Sequence, residues 1–124
     1  MFESREIVIL HHKELGDFSV VELSLGDAIR ARGFRSELTG GHYGTMAVSV
    51  SVDERIAAQI ADIISVLTFA IVKFPKGVTS VEELGTSNPG ALLDLMKLYR
   101  GKFPDPFRKI GRDSAQGSKE EASG

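Results

Sequence analysis

Cysteine and tryptophan are both absent from the 124 residues. Without cysteine there are no disulfides and no thiolate metal sites, and the redox compartment is left open. Histidine is scarce, at three residues, and no H-x-x-x-H or H-E-x-x-H pairing fixes two imidazoles on one helix face. Nucleophile signatures are missing too: there is no G-x-S-x-G and no thiol. Charge of one sign is not in excess. A formal net charge of −2 exerts no global pull on nucleic acid or anionic lipid. The opening MFESREIVIL lacks the basic and apolar regions of a secretion signal, so a cytoplasmic location is expected. Long apolar runs are limited to Ile56–Phe74, 19 residues without Gly or Pro. Gln59 and Asp62 lie in its first half, and a central Asp costs about 2.5–3.5 kcal/mol on insertion. It reads as a buried helix, and a membrane partner is not expected.

What remains is ordinary globular material. A hydrophobic content of 42% and a charged content of 26% suit one domain with one core. Ile7–Leu10 is continuously apolar and reads as a central strand over 6–11, followed by a polar loop, HHKELGD. Ser19-Val20-Val21-Glu22 has capping-box spacing, and Val21, Leu25, Ala28 and Ile29 share a helical face. These predict a helix from Val20 to Arg32 that stops at Gly33. Phe34–Leu38 and Met46–Val52 alternate with a period of two and are predicted as strands. Between them, Gly40-Gly41-His42-Tyr43-Gly44-Thr45 reads as a hairpin turn. It has neither the following helix nor the Lys-Ser/Thr of a phosphate loop. Asp53 is expected to cap the next helix.

That helix carries Ile56, Ile60, Ile63, Leu67, Ala70 and Phe74 at spacings of 4, 3, 4, 3 and 4, an a/d seam. Its end, Val66–Phe74, is β-branched and aromatic and fits a strand as the alternative. Ser80 and Asn88-Pro89 mark two further helix starts. Leu92, Leu95, Met96 and Tyr99 form an apolar face that ends at Gly101. The expected organisation is one α+β domain over 1–101, an extended arm over 102–111 and a disordered tail over 112–124. The element order is β-α-β-β-α-α. The alternative is a ferredoxin-like βαββαβ pattern with an added C-terminal helix.

Three places hold candidate chemistry. His11, His12 and Glu14 follow the first strand, and His42 is expected, with Tyr43, on an exposed hairpin tip. These are weak catalytic candidates, because neighbouring residues of a strand point to opposite faces. The second is the stretch Lys97–Arg112, whose net +5 leaves −7 on the rest of a chain totalling −2. Lys97, Tyr99, Arg100, Lys102, Phe103, Phe107, Arg108 and Lys109 interleave basic and aromatic groups, and with Tyr43 they form the candidate binding set. The third is the seam Ile56, Ile60, Ile63, Leu67 and Phe74, a candidate self-association interface. No cofactor or metal is called for. The favoured expectation is a non-enzymatic protein-interaction or oligomerisation module. The alternatives are a small enzyme or ligand-binding domain with a histidine pocket, and nucleic-acid binding through the basic arm.

Overall fold

In the computed structural model, which describes residues 5–105 and 107, the chain opens with a β-hairpin rather than one central strand. β1 (Val8–His12) pairs antiparallel with β2 (Gly16–Val20), with His12 opposite Gly16 and Val8 opposite Val20. Gly16 has φ of +108°, a conformation that side chains other than glycine's rarely adopt. Alternation sends Leu10, His12, Phe18 and Val20 inward and Ile9, His11 and Asp17 outward. β1 is an edge strand of the sheet order β1-β2-β3. Its outward side is uncovered: Ile9 is exposed, as is Ile7 just before the strand.

The first helix starts later than expected. Ser24, not Ser19, is the N-cap of α1 (Leu25–Leu38), and its Oγ accepts from the Asp27 amide at 3.1 Å. Asp27 lies between two guanidinium groups, Arg5 at 2.7 Å and Arg30 at 2.8 Å. α1 continues through Gly33, so Phe34–Leu38 is helix and not strand. The glycine segment then joins two helices instead of two strands. Gly40 and Gly41 take φ of +59° and +82°, and His42 opens the single turn α2 (Tyr43–Ala47). The expected strand over Met46–Val52 does not form. Its first two residues belong to α2, its last opens α3 (Val52–Ala70), and Ser51 caps that helix in place of Asp53.

α3 passes directly into β3 (Ile71–Lys73), which pairs antiparallel with β2. The helix thus ends before Phe74, and only three residues of the alternative strand over 66–74 are extended. α4 (Val81–Ser87) and α5 (Pro89–Lys102) begin at Ser80 and Asn88, where local cap chemistry points. Gly101 lies inside α5. The molecule is an α+β domain. Its order among the described residues is β-β-α-α-α-β-α-α, which corrects both β-α-β-β-α-α and the ferredoxin-like pattern. Arg108, Lys109 and the tail 112–124 lie outside the described residues.

The inner sheet face packs on α3, α4 and α5 through Phe18, Val20, Leu67, Leu84, Leu92, Leu95 and Tyr99. Small side chains are buried on both α1 and α3, Ala28 and Ala31 on one and Ala58, Ala61 and Ser65 on the other, beside the larger Ile63, Val66 and Leu67 of α3. Tyr99 locks the assembly. Its hydroxyl donates to the Val21 carbonyl at 3.0 Å and accepts from the Leu23 amide at 3.1 Å.

Replacing Tyr99→Phe removes that hydroxyl and orphans two backbone groups, so urea unfolding should show a loss of about 1–3 kcal/mol. Burial pushes the Tyr99 phenol above its ordinary value. The stability tied to its neutral form is present below about pH 10 and lost as pH rises further. The Tyr99→Phe protein should lack this alkaline component. At the acid end, burial alone would raise Asp27, but hydrogen bonds from Arg5 and Ser24 and the charges of Arg5 and Arg30 outweigh it and hold the carboxyl low. Its contribution is present above about pH 4 and lost as pH falls through the depressed value. Asp27→Asn should flatten the acid limb of a stability-against-pH curve.

Candidate functional site

His12 is the most enclosed ionisable side chain of the hairpin, with 5% exposure. The inward register of β1 sets it beside α5, where its Nε2 lies 3.2 Å from Asp94 Oδ2. Its Nδ1 accepts the amides of Glu14 at 3.1 Å and Leu15 at 3.2 Å. A nitrogen that accepts two N–H groups carries no proton, so the proton resides on Nε2 and is donated to Asp94. Both ring nitrogens are thereby occupied, and His12 fastens the hairpin turn. His11 points to the other face, its Nδ1 2.6 Å from its cross-strand neighbour Asp17.

The two histidines line a cavity of about 360 Å³ with Lys13, Glu14, Asp94, Lys97 and Leu98. His42 does not line it; it is exposed at the N-terminus of α2. The expected hairpin tip is therefore a helix start, and the three imidazoles form no common pocket. Among the described residues no group of three His, Asp or Glu is placed to hold a metal ion.

The candidate binding residues separate in space. Tyr99 is 1% exposed, so its ring offers no platform for a base. Phe103 is half-buried against it, with ring centroids 5.3 Å apart. Lys97 and Lys102 are exposed. Tyr43, Arg100 and Phe107, far apart in sequence, come together around a second cleft of about 280 Å³. Two arginines that the sequence reading leaves unremarked complete it. The Arg35 guanidinium lies 3.5 Å over the Tyr43 ring and pairs with Asp62 at 2.7 Å. The Arg32 guanidinium lies 3.9 Å over Phe107. Their i, i+3 spacing places them on one helix face, a signal hidden when a helix end is assigned to Gly33.

The interface candidates divide as well. Ile63 and Leu67 belong to the core, so they are not available to a partner. Ile60 and Phe74 are half-buried against that core, Phe74 edge-on to Phe18 at 6.1 Å. Ile56 is the exposed member of the five, at 47%. It has company that sequence reasoning assigns to one face of a strand. Val48, Val50 and Val52 are exposed at 81%, 98% and 57%.

Comparison of the chain with protein-family models, curated proteins and solved structures gives no match. Among the described residues no helix is long and apolar enough to cross a membrane.

His12→Ala should destabilise the fold by about 1–3 kcal/mol, because two turn amides and Asp94 lose their partner. His12→Asn places an acceptor oxygen near the Nδ1 position and should recover part of the loss. Denaturant midpoints of the three proteins decide this; an Ala variant as stable as the parent removes the capping role.

Proposed function

We propose that the chain is a non-enzymatic interaction module that pairs with a second copy of itself through the segment Val48–Ile56. The observation that carries this reading is the near-complete exposure of Val50, at 98%, between Val48 and Val52. Single exposed apolar residues are normal on a monomer. A run of them beside an exposed isoleucine marks an interaction surface.

Two further features favour a second copy as the occupant. Ile56 and Ile60 continue the a/d seam of α3 out of the core, so the exposed half of the helix keeps the spacing that suits another helix. The patch is also bordered by Asp53, Glu54 and Arg55. A two-fold interface must be complementary to itself, and a border holding both signs meets that condition. Burial of a Val or Ile side chain contributes up to about 1.5–3 kcal/mol. Contributions from both copies together are of the size of the roughly 4–15 kcal/mol lost on association. The hydrogen bonds of His12 commit both its nitrogens to the hairpin turn and Asp94, and the burial of Tyr99 leaves the nucleic-acid alternative without one of its platforms.

Light scattering at increasing concentration is the direct check. A dimer is expected in the micromolar range, with Val50→Asp and Ile56→Glu each shifting it to monomer while the circular dichroism spectrum stays unchanged. A strict monomer at high micromolar concentration overturns the proposal.

A further inference from the structure

The second cleft is built from four elements that converge on one polar space. α1 supplies Arg32 and Arg35, α2 supplies Tyr43, α3 supplies Asp62, and the end of α5 with its continuation supplies Arg100, Asp105 and Phe107. The arginines are not equivalent. Arg35 is neutralised by Asp62 at 2.7 Å. Arg32 and Arg100 have no carboxylate within ion-pair distance among the described residues. Arg32 rests on the face of Phe107, which orients its guanidinium without using its N–H donors. Arg100 makes a single long contact, 3.4 Å to the Phe103 carbonyl. Two cationic forks therefore line a partly enclosed cleft with most of their donors unspent.

We infer that this cleft binds a small phosphomonoester, held between the guanidinium groups of Arg32 and Arg100. A guanidinium matches a tetrahedral oxyanion through two parallel N–H donors. Two such forks suit a dianion better than a single carboxylate, which one fork already satisfies. Asp105 restricts the class further. Its Oδ1 accepts from the Phe107 amide at 3.0 Å, and its negative charge on the wall favours a ligand with a hydroxyl or amine donor beside the phosphate. A volume of about 280 Å³ leaves room for a phosphate and a short polar substituent. This site is independent of the self-association surface, since none of Val48, Val50, Val52 or Ile56 lines it.

The test is a titration of the full chain with methyl phosphate at low ionic strength, followed by two-dimensional NMR, which also reports that each variant is folded. Saturable shifts are expected at Arg32, Tyr43 and Arg100. Arg32→Ala and Arg100→Ala should each weaken binding at least about tenfold, the loss of a charged hydrogen-bonded contact. Arg32→Lys keeps the charge, loses the fork and should remain weakened. Acetate should bind less tightly than methyl phosphate, and Lys76→Ala, on the exposed surface, should bind as the parent does. Shifts that do not saturate, shifts spread evenly over exposed lysines, or arginine variants that bind like the parent overturn the assignment.

Discussion

The Tyr99 hydroxyl is the constraint on which the rest of the molecule depends. It joins α5 to the connection between β2 and α1 by donating to Val21 and accepting from Leu23. Those two backbone groups have left the sheet and not yet entered the helix, so no ladder can satisfy them. Water is excluded there, because Val21 and Leu23 are themselves buried. One side-chain oxygen meets both needs, and in doing so it fixes where the sheet ends and the angle at which α1 departs. The last described helix is therefore tied to the point where the chain leaves the sheet for α1.

The α+β class and the late helices were legible in the sequence because they rest on local chemistry. Ser80 caps α4 through the Glu83 amide, and Asn88 with Pro89 starts α5. The first half of the chain was less legible because two signals competed at each decision. Ser19 has capping-box spacing, and its pairing with both β1 and β3 removes it from contention, leaving Ser24 to cap α1. Gly16-Asp-Phe-Ser-Val20 has just two large inward residues, and it reads as the end of a loop and the start of a helix until a sheet receives it. Met46–Val52 shows the converse. Its alternation is clean, yet alternation becomes strand only where a neighbouring edge supplies hydrogen bonds.

The same division holds for the sites. Alternation along β1 foretells that His11 and His12 diverge, and the structure separates them by face. Nothing in the sequence shows that His12 spends both nitrogens, because Asp94 lies 82 positions away. The arginine cleft was half visible. Tyr43, Arg100 and Phe107 stand out by type, but their meeting requires α1 to continue past Gly33 and deliver Arg35. The a/d spacing runs from Ile56 to Phe74, but the helix ends at Ala70, and within it the seam divides between the buried Ile63 and Leu67 and the exposed Ile56.

The direct passage from α3 into β3 has a mechanical consequence. No loop separates Ala70 from Ile71, and the Ala70 carbonyl accepts from the Val21 amide at 2.9 Å. Helix and strand form one continuous lever of 19 plus three residues, the helical part about 28 Å long at about 1.5 Å per residue. A change of one residue in its length would break the phase between helix and sheet. One insertion would rotate everything upstream by about 100° relative to the sheet, carrying Asp62 away from Arg35 and turning Ile56 to a new bearing. Changes are tolerated only where they restore both phases at once, so α3 acts as a gauge that sets the fold's interior and its outer surface to a common register.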